Sequence, residues 1–265
     1  NMVKKGLFGE IVHCQGGYQH DLREEVGLGD VNRHYRFEQY LHRNGENYPT
    51  HELGPIAKVL GVNRGNRFVT LTSMASKACG LHEWFVNELG ADHPKTKLAF
   101  AQGDIVTTMI KCAGGETVLL VLDTTLPRPY SRGGRVQGTK GIWMEDNFSI
   151  HLEGISPAHK WESFEPYLEQ YEHPLWKRYR EYGVRGGHDG LDFLSMRAWL
   201  ESVRDGSHPP IDVYDAAAWM AVTVLSEESI ALGSAPVAFP DFTNGKWMQT
   251  APRNSGMYSL DIIAE

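Results

Sequence analysis

The sequence predicts an α+β fold, with one open, mostly antiparallel β-sheet and helices packed on one face. Residues 104–111 (DIVTTMIK) and 117–125 (TVLLVLDTT) flank Gly114-Gly115, which is a strong hairpin signal. The last third of the chain contains two segments with apolar residues at spacings of three and four, which predict helices. Strands followed by helices along the chain are typical of α+β domains.

The first elements precede this hairpin. Residues 9–18 predict a strand that leads into a glycine-rich turn. The polar residues 19–47 predict a long connection that is helical around 33–43. Pro55 suits the first position of a helix that runs to Gly61, with Gly54 as its cap. Alternation over 67–74 predicts another strand.

The remaining elements complete the sheet and add helices. The continuously apolar run 117–122 predicts a strand covered on both faces. Asp212 is a suitable N-cap and Gly233 a suitable stop for the last helix. The tail after Phe242 predicts a loop. The other predicted elements are short strands at 135–137, 141–145 and 148–153, and helices at 176–182, 191–204 and 213–232.

Composition excludes several classes of protein. The 265 residues contain 26 Lys and Arg against 33 Asp and Glu, a net charge of −7, so there is no basic excess for nucleic acid. The longest apolar run, 216–225, is far shorter than the roughly 20 residues of a membrane span. The odd number of cysteines, Cys14, Cys79 and Cys112, does not support a disulfide framework or a structural zinc site.

Common cofactor and hydrolase motifs are missing. Residues 27–32 (GLGDVN) come nearest to a dinucleotide fingerprint but lack its third glycine, and no apolar strand precedes them. The sequence has no GxxxxGK[ST], no HExxH and no GxSxG. The histidines lack metal-ligand spacing, so we expect no metal site.

The segment Tyr48-Pro49-Thr50-His51 is the densest candidate for chemistry. Pro49 favours an extended Tyr48, which would place His51 in the turn just before a helix N-terminus. The partial positive charge there disfavours the imidazolium form, so we expect His51 to be neutral near pH 7. The alternative is a packed tyrosine and a histidine that caps a turn.

Three further segments combine glycine or proline with polar side chains. Residues 127–132 (PRPYSR) would hold Tyr130 and two arginines at a sheet edge, where they suit a polar ligand such as a sugar, or else form an aromatic lid with solvated arginines. Residues 16–23 place Tyr18 beside His20 and Asp21, although neighbouring residues in a strand do not face the same way. Residues 186–192 place His188 near a helix start, with Asp189 as a possible N-cap.

Taken together, these segments resemble the C-terminal domain of glycoside hydrolase family 109, in the Gfo/Idh/MocA oxidoreductase superfamily. The resemblance covers nearly the whole chain. It rests on GLFGEIVHCQGGYQHDLR, RNGENYPTHELGPIAKVLGVNRGNRF, GDIVTTMI, DTTLPRPYSR, VQGTKG, GGHDGLDF, PPIDVYDAAAWMAVTVLSEESIALG and FPDFTNGKW.

The resemblance implies an α-N-acetylgalactosaminidase that uses NAD. In such enzymes the sugar is oxidised at C3, the C2 proton is lost, the leaving group departs from C1, water adds and C3 is reduced. The cofactor carries the hydride, and protein groups orient the sugar and move protons.

The resemblance also implies roles for individual residues. Tyr48 and His51 match the proton-transfer pair, with His51 as a base and Tyr48 also touching NAD. An ordinary tyrosine pKa near 10 would leave Tyr48 able to donate a proton. The residues expected to bind the sugar are Tyr18, Arg36, Tyr48, Pro49, Thr50, His51, Tyr130 and His188.

Three positions depart from the family pattern. Glu52 stands where the family usually has glycine, and a carboxylate there would raise the pKa of His51 or occupy the sugar pocket. Glu38 stands where arginine is common, and Asp189 where glycine is common. These departures put the preference for N-acetylgalactosamine in doubt.

The resemblance leads us to expect that residues 1–265 form the substrate-binding and oligomerisation domain of a longer enzyme whose N-terminal Rossmann domain is missing. We expect a homo-oligomer formed through the sheet, and a chain that is inactive alone. A sugar or cyclitol oxidoreductase domain and a non-catalytic carbohydrate-binding or assembly module remain alternatives. The compartment stays open between the bacterial periplasm and the cytoplasm.

Overall fold

A nine-stranded sheet forms the centre of the computed structural model, which describes residues 1–181, 183, 186–250 and 257–260. The strand order is β8-β7-β6-β5-β1-β4-β3-β2-β9. Only β1 and β4 are paired in parallel; the other neighbours are antiparallel. The strands are β1 Ile11–Gln19, β2 Phe68–Ala75, β3 Ile105–Cys112, β4 Thr117–Asp123, β5 Arg135–Gly138, β6 Gly141–Met144, β7 Ser149–Leu152, β8 Glu162–Ser163 and β9 Val237–Ala238.

Helices lie in the β1–β2, β2–β3 and β8–β9 connections, and the two longest in the described residues fall in the last third of the chain. In the described residues they are α1 Arg23–Gly27, α2 Gly29–Asn32, α3 Arg36–His42, α4 Thr50–Val59, α5 Gly80–Leu89, α6 Glu165–Tyr171, α7 Pro174–Glu181, α8 Leu191–Asp205 and α9 Val213–Ala231. Short 3₁₀ turns lie at Pro94–Lys97, His188–Gly190 and Lys246–Met248. The predicted fold class, hairpin and last two helices are confirmed, while residue 182 of the predicted helix 176–182 lies outside the described residues.

Helices α4 and α9 cover one face of the sheet. Alternate side chains of β4, Val118, Leu120 and Leu122, are at most 1% exposed, and the first two pack with Leu53 and Val222 of these helices. The intervening side chains of β4 are only half-buried, so the prediction of a strand covered on both faces is wrong. A continuous apolar run does not by itself determine that both faces of a strand are covered.

Helix α4 begins earlier than predicted. Its first helical hydrogen bond runs from the Leu53 N–H to the Pro49 carbonyl, and Pro55 lies inside the helix. A proline at this position removes one backbone hydrogen bond. Burial of Leu53, Ile56 and neighbouring side chains against the sheet offsets that loss.

Helix α5 was not predicted, because its N-terminus depends on a distant residue. The Asp104 carboxylate accepts hydrogen bonds from the backbone N–H groups of Cys79 (2.7 Å) and Gly80 (3.0 Å). It also accepts one from the hydroxyl of Thr125 (2.7 Å). A carboxylate beside free N–H groups stabilises a helix start. Helix α6 was also missed; it is short and packs through an aromatic stack of Phe164, Tyr167 and Tyr171.

A buried ion pair joins the far end of α4 to the start of α9. Asp215, 1% exposed, accepts hydrogen bonds from Lys58 Nζ (2.9 Å) and from Arg64 (2.7 and 2.8 Å). Asp212 and Asp215 also form the capping box of α9, which confirms the predicted N-cap. Burial acts to raise the pKa of Asp215, but the bonds from Arg64 and Lys58 outweigh it and hold the pKa below its usual range.

We predict that Asp215→Asn lowers the free energy of unfolding by about 3 kcal/mol, because it leaves two partly buried cations without their shared carboxylate. Urea unfolding monitored by circular dichroism measures the change. Asp205→Asn is the matched control: its pair with Arg204 is exposed to solvent, so the loss should be much smaller. Equal losses in the two variants would contradict a structural role for Asp215.

Candidate active site

Five ring side chains meet at the C-terminal end of β1. They are Tyr18, His20, Tyr48, His51 and Tyr130, and we call this cluster the aromatic hollow. The Tyr18 ring is central: its centroid lies 4.6 Å from that of Tyr48, 5.0 Å from that of His51 and 6.3 Å from that of Tyr130. The structure therefore brings together residues from three separated segments of the chain.

The parallel pairing of β1 and β4 brings two of these segments together. Both strands end at the same edge, so the segment after β4 continues beside the end of β1. Two backbone hydrogen bonds between Gln19 and Ser131 fix this contact, at 2.9 and 3.2 Å. Tyr130 is thereby placed beside Tyr18 and His20, with nearly half of its surface exposed at the rim.

Arg36 provides a buried cation beside the tyrosines. It lies on α3, is 5% exposed, and its guanidinium carbon is 4.8 Å from the Tyr48 ring centroid and 5.5 Å from that of Tyr18. These distances are within the range of cation–π attraction. Arg36 Nε has no hydrogen-bond partner among the described residues, which leaves a buried donor beside the hollow.

His51 occupies the first turn of α4 rather than the turn before it, because the helix already begins at Thr50. Burial lowers the pKa of His51, and the positive charge of Arg132, followed by His188, Arg36 and His20, lowers it further. The predicted direction is confirmed, although burial is the largest cause. The imidazole is therefore neutral near pH 7 and able to accept a proton.

Tyr18 and His20 share a hydrogen bond of 3.1 Å between the phenol and Nδ1. Burial raises the pKa of Tyr18, while Arg36 acts against that shift. Tyr18 therefore holds its proton at neutral pH.

Asp21 does not orient His20; it pairs with Arg23 instead, at 2.7 and 2.8 Å.

Glu52 lies against β1 beside the hollow. A methyl group built on Gly16 would overlap the Glu52 Cγ atom and lie 2.8 Å from Cβ and 2.9 Å from Cδ, so the missing side chain of Gly16 makes room for Glu52. Burial raises the pKa of Glu52 to about 7; Glu145 adds to this and Arg132 opposes it. The pKa of His51 is lowered, so the expected rise in that pKa does not occur.

Glu46 lies beneath the Tyr48-Pro49 turn and is 1% exposed. Its Oε1 accepts the Tyr48 backbone N–H at 3.2 Å, and its own N–H donates to Ser226 Oγ of α9 at 2.8 Å. Its Oε2 is buried without a hydrogen-bond partner in the described residues. Burial raises the pKa of Glu46 to about 7, so this carboxyl carries a proton in much of the population at neutral pH.

The other predicted residues lie around the hollow. Pro49 is buried and Thr50 half-buried at the start of α4. His188 is mostly exposed, in the 3₁₀ turn before α8, and Asp192 holds it at 2.9 Å. Asp189 does not cap α8, because Gly190 occupies that position. Glu38 is exposed on α3, 4.0 Å from His42, outside the hollow.

Sequence reasoning missed Glu46 and Tyr35 and gave no specific role to Arg132. Tyr35 stacks on Arg36, whose guanidinium carbon lies 4.7 Å from its ring centroid. Arg132 Nε donates to the Tyr130 hydroxyl at 3.1 Å. Of these three residues, only Arg132 could have been recognised from the sequence. In the RPYSR segment it stands two residues after Tyr130, and such residues lie on the same side of an extended chain.

A separate cavity of about 780 Å³ lies away from the aromatic hollow. It is bounded by the N-terminal residues, α6 and α7, and its lining combines aromatic side chains such as Trp143 and Trp176 with aliphatic and charged ones such as Val59 and Arg180. None of the five hollow residues lines it. Within the described ranges, no group of three or more His, Cys, Asp or Glu is placed to hold a metal ion, and no helix is long and apolar enough to cross a membrane.

Solved structures share this fold. A levoglucosan dehydrogenase in complex with NADH and levoglucosan matches with a TM-score of 0.58 at 16% identity, over 91% of this chain and 61% of that one. An inositol dehydrogenase homolog with NAD⁺ from Azotobacter vinelandii matches with a TM-score of 0.53 at 14% identity, over 90% of this chain and 60% of that one. The chain therefore shares the fold of a domain of these dehydrogenases.

Sequence comparison narrows this class to one family. Residues 1–249 match the family described as "Glycosyl hydrolase 109, C-terminal domain", and the chain belongs to that family. A glycosyl hydrolase family 109 protein of Stenotrophomonas maltophilia is 50% identical over 95% of this chain. An α-N-acetylgalactosaminidase of Tannerella forsythia is 45% identical over 95% of it. The chain spans 59% and 58% of the lengths of these two relatives.

We predict that Glu46→Gln becomes more stable relative to the parent chain as the pH rises from 5 to 8. Between pH 4.5 and about 7, the unfolded chain releases this proton while the folded chain retains it, so the parent loses stability as the pH rises, by up to about 3 kcal/mol. Glutamine has no such proton. Urea unfolding at several pH values measures the difference, with Glu24→Gln on the exposed surface of α1 as control. Parallel pH profiles for Glu46→Gln and the parent would contradict this assignment.

Proposed function

We propose that this chain is the substrate-binding and proton-transfer half of an NAD-dependent glycosidase that acts on α-galactosides, including the α-N-acetylgalactosaminides named for its Tannerella relative. The observation that carries the proposal is the convergence of Tyr18, Tyr48, His51 and Tyr130 into one cluster of rings, with the Arg36 guanidinium 4.8 Å from the Tyr48 ring centroid. The family match supports the glycosidase class.

The side chains of the hollow suit proton transfer and sugar binding. Phenols and imidazoles donate and accept hydrogen bonds, and aromatic faces pack against the apolar faces of sugar rings. The neutral His51 imidazole accepts the proton from C2 of the sugar. The Tyr48 ring centroid lies 5.3 Å from that of His51, and the Tyr48 hydroxyl donates a proton to a sugar or water oxygen.

The chemistry of these side chains explains why the proposed reaction would need NAD. Phenols, imidazoles, a guanidinium and a carboxyl move protons and orient hydroxyls, but none of them accepts a hydride, so the proposed oxidation and re-reduction of the sugar need a partner group. When bound, NAD supplies that redox chemistry. Tyr48 is the residue of this chain that would touch NAD, since its ring is only half-buried and one face lies against Arg36. We propose that a Rossmann domain preceding this chain holds the rest of the cofactor.

We predict that His51→Ala lowers kcat/KM for a nitrophenyl α-galactoside by at least about 100-fold, because the base is lost. The assay uses this chain joined to its proposed nucleotide-binding domain, with NAD present. Hydrolysis in D₂O should place deuterium at C2 of the product, which a reaction through two carboxylates would not do. The matched control is His42→Ala, at an exposed position on α3.

The 265-residue chain alone should release no nitrophenol. Full activity in His51→Ala, unlabelled product, or turnover by the isolated chain would each contradict the proposed function.

We also propose that the chain self-associates through the face of the sheet opposite α4 and α9. Met74 of β2 and Met109 of β3 are 62% and 42% exposed on that face. Sedimentation velocity should show a dimer for the parent chain and a monomer for Met109→Lys, because a charge there would be buried without a partner. A parent chain that stays monomeric at every concentration would contradict this surface.

A further inference from the structure

The Glu52 carboxyl has unused hydrogen-bonding capacity beside the aromatic hollow. No described residue donates a hydrogen bond to it, although it is more than half buried. An ionised carboxylate offers about four acceptor positions, and the partial burial of Glu52 limits how well water can fill them. A bound molecule that donates a hydrogen bond to Glu52 would therefore gain more than it would at a carboxyl that is already satisfied.

The charges around Glu52 do not neutralise it by direct contact. Arg132 lies near enough to influence its pKa but donates from Nε to the Tyr130 hydroxyl at 3.1 Å instead. Glu145, the other charged neighbour, accepts the backbone N–H of Gly134 at 2.9 Å and repels Glu52. A positively charged or hydrogen-bond-donating substituent would relieve this repulsion, whereas a bulky neutral acceptor would not.

Glu52 and His51 lie side by side along β1. The His51 ring packs on Tyr18, and the Glu52 side chain lies over Gly16, two residues earlier on the same face of the strand. Two residues of a strand span about 7 Å, which is within the reach of a substituent on a sugar ring. If His51 takes the proton at C2, then C2 and its substituent lie beside His51, about 7 Å from the position over Gly16 that Glu52 occupies.

We propose that Glu52 is a specificity-determining residue that selects a small, hydrogen-bond-donating substituent at C2 of the sugar, a hydroxyl or an ammonium group, over an acetamido group. This inference rests on the proposed function, because it uses the same hollow and the same orientation of the sugar. Glu52 acts in two ways: its side chain takes up space, and its carboxylate attracts donors.

Direct binding of sugars to the 265-residue chain tests the proposal without any cofactor. NMR titration at pH 7.5 compares the methyl α-glycosides of galactose, galactosamine and N-acetylgalactosamine. The parent chain should bind the first two at least about fivefold more tightly than the third. Glu52→Gly should reverse that order by about tenfold or more, because it removes both the bulk and the carboxylate.

Two further variants separate the contributions. Glu52→Gln keeps the size of the side chain but loses the charge, so it should still disfavour the acetamido sugar and lose any advantage for the ammonium sugar. Gly16→Ala should weaken binding of both favoured sugars in the parent, because the new Cβ overlaps the Glu52 side chain. The same change in a Glu52→Gly background meets no such overlap and should leave binding as in Glu52→Gly alone.

Each outcome counts for or against the proposal. Tightest binding of the acetamido sugar by the parent, or an unchanged order in Glu52→Gly, would overturn the role of Glu52 and leave the proposed function standing. Failure of every variant to bind any of the three sugars would overturn the sugar site itself, and this inference with it. Circular dichroism on each variant excludes loss of fold as the cause.

Discussion

The close approach of α4 to β1 is the constraint on which the site depends. Gly16 has no side chain, so the first turn of α4 can lie directly on the strand with Glu52 in the vacated space. Farther along the helix, Gly54 admits the Trp219 ring of α9, whose nearest atom would be 3.3 Å from a Cβ at that position. A side chain at Gly16 would overlap Glu52 and force it to move, whereas a methyl group at Gly54 would require only a small shift of the Trp219 ring. Gly16 in particular allows the helix that carries the proposed base to lie close to the strand.

The two ends of α4 are held by different interactions. At the far end, Lys58 meets the buried carboxylate of Asp215, and Arg64 shares it. At the near end, the Glu46 carboxyl accepts the Tyr48 N–H and its own N–H is bonded to α9 through Ser226. Helix α9 thus contacts the far end of α4 and the turn that precedes its near end. A helix that contributes no ring to the hollow therefore helps to hold the segment that carries Tyr48 and His51.

Most of the fold could be predicted from local patterns in the sequence, and the predictions that were wrong have physical causes. Alternation and the Gly114-Gly115 pair define the β3–β4 hairpin within about 20 residues, so the prediction needed nothing distant. The start of α4 was misplaced because Pro55 is tolerated inside a helix whose packing compensates for one lost bond. Helix α5 was missed because the cap that starts it, Asp104, follows it in sequence by more than 20 residues.

The candidate site, like the fold, could be predicted only where the signal is local in the sequence. Residue spacing singled out the Tyr48–His51 segment, and family resemblance added Arg36, but only the parallel pairing of β1 with β4 places Tyr130 against Tyr18. The pKa values of the acidic residues around the site could not be predicted from the sequence at all. Glu46 and Glu52 lie on either side of this segment, and burial raises the pKa of both to about 7. Glu46 is sealed beneath the turn, whereas the Glu52 side chain is only half-buried. Two identical side chains therefore lie in different environments, and packing alone distinguishes them.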